Sequence, residues 1–223
     1  MINLVTGGSG FIGSHLVNKL MCSNEIVYCL DDFSNSHKRS IEKWLNNKNF
    51  FLINQDVKEK IVLKIDKIWH FACPGSPKIY QKDPIRTAKT NFLGTLNMLE
   101  LARISNAKII MASTSEIYGN PKYHPQREDY WGYVNPIGRR SCYKEGKRFA
   151  ESLCFDYLRT YETQVKIARI FNTYGPNMMP NDGRVVSNFI CQALTNQPLY
   201  INGDGSQTRA FCYIDDLIEG LIK

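Results

Sequence analysis

Apolar and polar positions alternate along this chain in short runs separated by longer helical stretches. Buried-strand runs are expected at Ile2–Thr6, Glu25–Leu30, Phe50–Asn54, Lys67–Phe71, Ala107–Ala112 and Val165–Ile170. Helical spacing marks His37–Asn47, and Asp83–Ser105 reads as one long helix whose apolar face holds Leu93, Leu96, Leu99, Leu101 and Ala102. Another helix is expected through Tyr143 to about Tyr161. Asn172–Pro176 reads as a turn, Gly183–Asn196 as a helix, and Leu199–Ile201 as a short strand. Gly203-Asp204-Gly205 is a tight turn, Arg209–Tyr213 is strand-like, and a last helix follows Asp215-Asp216. Residues 120–140, rich in proline, glycine and charge, form a loop long enough to suggest function. Strands alternating with helices predict an α/β fold with a doubly wound parallel sheet.

The chain has 223 residues, 43% hydrophobic and 22% charged, enough for one large domain with a small lobe. No stretch approaches the roughly 20 apolar residues of a membrane span. The first residues pass straight into a glycine motif, without a basic leader or cleavage site. Seven cysteines lack any Cys-x-x-Cys pair, which fits reduced thiols, a cytoplasmic location and no metal site. The net charge of +7 is spread along the chain. It forms no basic stripe of the kind nucleic-acid binding needs, though it would favour an anionic small-molecule substrate.

The chemistry begins at the first turn. Gly8, Gly10 and Gly13 satisfy G-x-G-x-x-G, and Gly7, Gly10 and Gly13 satisfy G-x-x-G-x-x-G, directly after a strand. Such a turn lets backbone approach a pyrophosphate and aims a helix N-terminus at it. Asp31 and Asp32 end the second strand, about 20 residues on, where an acid accepts from ribose hydroxyls and repels a 2′-phosphate. That favours NAD over NADP; Asp32 can equally be a turn or cap residue. Asp56-Val57 follows the third strand and can reach the adenine edge. Ala72-Cys73-Pro74-Gly75-Ser76-Pro77 leaves room for a ligand at the end of the fourth. Ser113-Thr114-Ser115-Glu116 ends the fifth, where hydroxyls and a carboxylate reach a substrate or simply cap a turn. Tyr143 and Lys147 share one helix face, so the ammonium is expected to lower the phenol pKa from roughly 10 and make it a base. Tyr-x-x-x-Lys alone also arises by chance; the other parts in order give it weight.

These residues together carry a resemblance. Gly-Gly-Ser-Gly-Phe11-Ile12-Gly13, Ser-Thr-Ser-Glu-Ile-Tyr-Gly, Tyr143-x-x-x-Lys147 and Arg169-Ile-Phe-Asn-Thr-Tyr-Gly-Pro176 resemble the extended short-chain dehydrogenase/reductases acting on nucleotide sugars. Ala72–Pro77, Tyr130–Gly138 before Arg140–Tyr143, and Asp182–Phe189 are similar to the UDP-glucuronate decarboxylase branch. The resemblance covers essentially the whole chain. It implies a Rossmann-type NAD domain over 1–171 with 205–215, and a partial sugar-nucleotide lobe over 172–204 with 216–223. Members usually run on past the position matching Lys223, so an incomplete lobe is expected.

The implied reaction is oxidation of UDP-glucuronate at C4 by NAD, loss of CO2, and return of the hydride to give UDP-xylose. Tyr143, Lys147, Thr114, Glu116 and Arg209 would be catalytic. Gly7, Gly10, Phe11, Ile12, Gly13, Asp31, Asp32, Phe33, Ser34, Asp56, Val57, Phe71, Cys73 and Thr90 would hold the cofactor with Tyr143 and Lys147. Lys89, Asn172, Thr173, Arg184, Ser187, Asn188 and Phe189 would hold the sugar nucleotide with Glu116 and Arg209. The resemblance also implies a homodimer, no membrane partner and no nucleic acid. A 4-epimerase, a 4,6-dehydratase and a truncated, non-catalytic NAD-binding relative are the alternatives; Glu116 with Arg209 argues against the first two.

Overall fold

Period-two alternation in the central strands divides the core between two faces. The structure is a computed structural model that describes residues 1–180 and 182–223. Six parallel strands form its main sheet: β1 (Ile2–Thr6), β2 (Ile26–Asp31), β3 (Phe50–Asn54), β4 (Lys67–His70), β5 (Lys108–Thr114) and β6 (Val165–Ile170). Their order is β3-β2-β1-β4-β5-β6, so the chain reverses direction across the sheet between β1 and β4. Val5 pairs in register with Cys29 on one side and Trp69 on the other.

Successive side chains on a strand point to opposite faces. Leu4, Leu30, Ile68, Ile109 and Met111 therefore share one buried cluster with Met98, Leu99 and Ala102 of α4 (Thr95–Ser105) and Ala150 and Cys154 of α5 (Ser141–Tyr161). Val5, Val27, Cys29, Trp69 and Ile110 share the other with Leu16, Val17 and Leu20 of α1 (Phe11–Cys22) and Ile214 and Ile218 of α7 (Ile214–Ile222). This is the expected doubly wound sheet, with helices on both faces.

The remaining elements are α2 (Pro77–Tyr80), α3 (Pro84–Lys89), β7 (Asn172–Tyr174), α6 (Val185–Leu194) and β8 (Phe211–Tyr213). Asn172–Tyr174 is not the expected turn. It pairs in parallel with Phe211–Tyr213, so β8 joins β7 and not the main sheet. Residues 216–222 lie on α7, which packs on α1. Leu199–Ile201 is exposed and forms no strand, because no described segment pairs with it. His37–Asn47 is two short 3₁₀ turns, Lys38–Ser40 and Glu42–Trp44: only Ile41 and Trp44 have core to pack against, too few contacts to sustain a helix. The helix expected over Asp83–Ser105 keeps its path but contains a π-helical segment, Thr90–Gly94, between α3 and α4. A Cβ on Gly94 would lie 2.7 Å from Val57 Cγ1, so only glycine allows this close packing.

One buried polar bridge ties the crevice strands together. His70 Nδ1 lies 2.8 Å from Thr6 Oγ1, and its Nε2 lies 3.2 Å from Thr95 Oγ1. A neutral imidazole satisfies both ends, accepting at one nitrogen and donating at the other. Burial, with the charge of Lys147 in support, pushes the His70 pKa down to about 3. The depressed pKa contributes stability that is present above the unfolded value of 6.5 and is lost as pH falls toward 3. Between pH 7 and pH 5 this one group is expected to remove about 2 kcal/mol of unfolding free energy. A His70→Gln variant is expected to lose about that much less than the parent over the same interval, measured by urea unfolding at the two pH values.

Candidate active site

A cleft of about 1170 Å³ opens at the carboxyl ends of the strands, where the reversal between β1 and β4 leaves a crevice. Its floor is the glycine turn. Gly7 has φ +67° and donates its N–H to Leu30 O at 2.8 Å, turning the chain sharply out of β1. Gly10 is the N-cap of α1 and brings no capping side chain, so the first amides of the helix remain available to an anion. A Cβ on Gly13 would collide with the Gly7 carbonyl oxygen, and one on Gly7 would lie 3.0 Å from Ala72 backbone. The cradle therefore exists only without side chains, as close backbone approach to a diphosphate requires.

Asp31 is buried at the rim. Its Oδ2 accepts from Ser9 N–H at 3.0 Å, and its Oδ1 accepts from Phe33 N–H at 3.0 Å and Ser36 Oγ at 2.8 Å. A carboxylate oxygen accepts two hydrogen bonds, so Oδ2 retains one position for a ribose hydroxyl. Asp32 binds Ser34 N–H and pairs with Arg86 at 2.6 Å. Gly7, Gly10, Phe11, Ile12, Gly13, Asp31, Asp32, Ser34, Asp56, Val57, Phe71, Cys73 and Thr90 all line the cleft. Phe33 does not: with φ +55° its ring turns into the core beneath α1, under the ammonium of Lys38.

At the other end, β5 delivers Thr114, and a 3₁₀ turn over Ser115–Tyr118 carries Glu116. Tyr143 and Lys147 face them from α5; both are buried and line the cleft. Lys147 Nζ donates to Ala112 O at 2.7 Å, which fixes the ammonium against the end of the sheet. Burial, and then the neighbouring Cys73, push the Tyr143 phenol well above the usual tyrosine range, while a hydrogen bond from Thr114 works the other way. This reverses the direction expected from the Tyr/Lys spacing. Burial is the largest cause, and the neighbouring acidic groups Cys73, Glu116 and Tyr80 add to it.

Tyr80, at the end of α2, was not visible as a site residue. Its ring stacks on Tyr143 at 4.7 Å with the planes 1° apart, and its hydroxyl lies 3.5 Å from Glu116 Oε1. Glu116 Oε2 is buried 4.0 Å from Lys144 Nζ and has no hydrogen-bond partner among the described residues. A second unseen group lies behind. Ser113 Oγ donates to Glu151 Oε1 at 2.5 Å, and Arg169 Nη2 donates to Glu151 Oε2 at 2.8 Å. Arg169 Nη1 also donates to Tyr118 Oη at 2.9 Å and to Glu128 O at 2.6 Å. Glu151 follows Tyr143 and Lys147 at helical intervals, which was the one local signal for it.

Asn172, Thr173, Arg184 and Arg209 border the same cleft. Asn172 Nδ2 donates to Ala210 O at 3.1 Å, and Arg184 forks onto Asp182. Arg209 is exposed, its Nη1 donating to Thr208 O at 2.6 Å. Four expected residues lie elsewhere. Lys89 is exposed and off the cleft wall, and Ser187, Asn188 and Phe189 sit on α6 away from it. Ser187 instead donates to Arg184 O at 3.0 Å and is buried.

Comparison with known proteins places this geometry in context. A family model described as the NAD dependent epimerase/dehydratase family matches residues 3–223. UDP-glucuronic acid decarboxylase 1 of Danio rerio is 54% identical over 220 residues, which are 99% of this chain and 53% of that protein. UDP-glucuronic acid decarboxylase 3 of Arabidopsis thaliana is 54% identical over 222 residues, 99% of this chain and 65% of the relative. The chain thus spans about half to two thirds of the length of these relatives. A crystal structure of a UDP-glucuronic acid 4-epimerase variant from Bacillus cereus, with a fluorinated UDP-glucuronic acid and NAD, superposes with TM-score 0.89 at 32% identity. It covers 100% of this chain and 72% of that one.

A Gly13→Ala substitution tests the cradle. It is expected to abolish dinucleotide binding while leaving the far-UV circular dichroism spectrum near that of the parent, checked by calorimetric titration with NAD.

Proposed function

This chain belongs to the NAD dependent epimerase/dehydratase family, and we propose that its reaction is the decarboxylation of UDP-glucuronate to UDP-xylose. The observation that carries the reading is Glu116. A buried carboxylate oxygen without a hydrogen-bond partner stands in the same cleft as Tyr143, with Arg184 and Arg209 on its rim. With Lys144 as its ion partner but no hydrogen bond made, this oxygen is free to accept one from a substrate. Identity of 54% to proteins named UDP-glucuronic acid decarboxylases supports the same choice.

When bound, NAD accepts a hydride from the sugar C4 and later returns it. Gly7, Gly10 and Gly13 would hold its diphosphate and Asp31 a ribose hydroxyl. Thr114 and Tyr143 would hold the sugar 4-hydroxyl between them, with Tyr143 taking its proton. Burial keeps that phenol protonated in the free protein, so its use as a base needs positive charge beside it in addition to Lys147. The 4-keto sugar carries its carboxylate β to the ketone. The C5–carboxylate bond then breaks, CO2 leaves, and the electron pair becomes an enolate. Glu116, Lys144 and the cleft arginines would hold the carboxylate and manage the proton that C5 regains. Tyr143 returns its proton to the C4 oxygen at the end.

Incubation with UDP-glucuronate and NAD, followed by chromatography and mass spectrometry, is expected to show a product lighter by one CO2. Tyr143→Phe is expected to lower the rate by about 10²–10⁴-fold without loss of NAD binding. A product of unchanged mass but altered retention would favour 4-epimerisation, the reaction named for the Bacillus cereus neighbour.

The reading includes a homodimer and a cytoplasmic protein. Phe92, Ile104, Phe149, Phe155 and Leu158 are exposed on the outer sides of the π-helical segment, α4 and α5, where Phe92 and Phe149 meet edge to face. A patch of this kind marks an interface. All seven cysteines are free, which suits a reducing compartment. Light scattering is expected to give twice the chain mass for the parent and the single-chain mass for Phe149→Glu.

A further inference from the structure

Two charged residues meet across the mouth of the cofactor cleft without belonging to its floor. Asp32 follows β2, and Arg86 stands on α3, which follows β4. Those two strands flank β1 on opposite sides. A bond between their following segments therefore crosses the end of β1, where the glycine turn lies. Arg86 Nη2 and Asp32 Oδ2 are 2.6 Å apart, although 54 residues separate them in sequence, and both side chains line the cleft.

Each end of this bond is held in place. Asp32 Oδ1 accepts from Ser34 N–H at 3.0 Å and from Ser34 Oγ at 2.6 Å, which points the other oxygen across the mouth. Burial works against the charged form of Asp32, but the Ser34 hydrogen bonds and Arg86 outweigh it and hold the carboxyl below its ordinary range. On the opposite side, Asp83 caps α3 by accepting from Arg86 N–H at 2.9 Å, and Pro84 occupies the first helical position. The backbone of Arg86 is thereby fixed before its side chain reaches out.

We propose that Arg86 and Asp32 form a clasp across the dinucleotide cleft that slows cofactor release. The inference rests on the NAD-dependent reading above. In that reaction the electrons taken from C4 must return to the same sugar, so a cofactor lost midway would strand the 4-keto product. A bond joining the two sides of the mouth opposes that loss. It does not touch the reacting atoms, and Arg86 is a positioning residue. The pair is partly exposed, at 39% and 30% for the two side chains, so its effect is that of a surface ion pair and fades with salt.

The test is stopped-flow release of NADH, followed by its fluorescence, from the parent chain and from Arg86→Gln, Arg86→Lys and Arg86→Glu. Release is expected to quicken about two- to fivefold in Arg86→Gln, the scale of an exposed ion pair. It should quicken further in Arg86→Glu and stay near the parent rate in Arg86→Lys, because a single nitrogen makes the bond. Raising the salt concentration should speed release from the parent and leave Arg86→Gln unchanged. Equal release rates for parent and Arg86→Gln, the same salt dependence in both, or no NADH binding by the parent would each overturn the clasp. No sugar is present, so a product assay that found epimerisation would reject the decarboxylase reading and leave this result standing.

Discussion

The buried bond between Glu151 and Arg169 is the constraint on which the catalytic end of this molecule depends. It joins α5, which carries Tyr143 and Lys147, to β6. Through Ser113 it also holds the residue next to Thr114, and through Tyr118 and Glu128 it holds the turn of Glu116 and the loop after it. Glu151 is buried and Arg169 is 24% exposed, so removing the arginine would leave a buried carboxylate without its cation. The stretch from β5 through Glu128, together with α5 and β6, therefore has one shared reason to stay in register. The cleft keeps its shape because the charges behind it cannot be separated cheaply.

Much of this was legible in the sequence, and the parts that were share a cause. The six strands announced themselves as short apolar runs, and the glycine turn as a spacing that only a strand–turn–helix unit needs. Tyr143 and Lys147 were readable because four residues on a helix is a local distance. What escaped reading was set by contacts between distant segments. Tyr80 became a neighbour of Tyr143 only when α2 folded against α5. Phe33 looked like a cleft residue by position, yet a left-handed backbone turned it inward. Lys89 is exposed off the cleft wall, and Ser187, Asn188 and Phe189 lie on α6, no residue of which lines the cleft; where a helix lies is set by tertiary packing and not by sequence position. The direction of the Tyr143 pKa was likewise beyond reach, since its burial is not written in the spacing.

The electrostatics of the cleft reconcile two facts that conflict when taken separately. The chain carries a net charge of +7 without any basic block, while Asp31, Asp32 and Asp56 line the cleft. Those three lie at the glycine-turn end, with Asp32 paired to Arg86. At the other end Arg140 and Arg209 stand beside Lys144, paired with Glu116, and Arg184, paired with Asp182. On the proposed reading, Asp31 would offer a ribose hydroxyl an acceptor, while Arg140 and Arg209 would offer an anionic sugar nucleotide positive charge.

The π-helical segment between α3 and α4 has a mechanical meaning of its own. One residue more than an α-helical turn requires rotates everything downstream by about 100° relative to an unbroken helix. Upstream and in the segment's first residues, the buried positions are small and polar: Thr87, Thr90 and Asn91. Downstream they are Met98, Leu99 and Ala102, set against the sheet. The segment acts as a phase shifter, allowing one continuous rod to bring Thr90 to the cleft and an apolar stripe to the core. Shortening the rod by a single residue there would straighten the helix and point either Thr90 or the apolar stripe at the wrong surface.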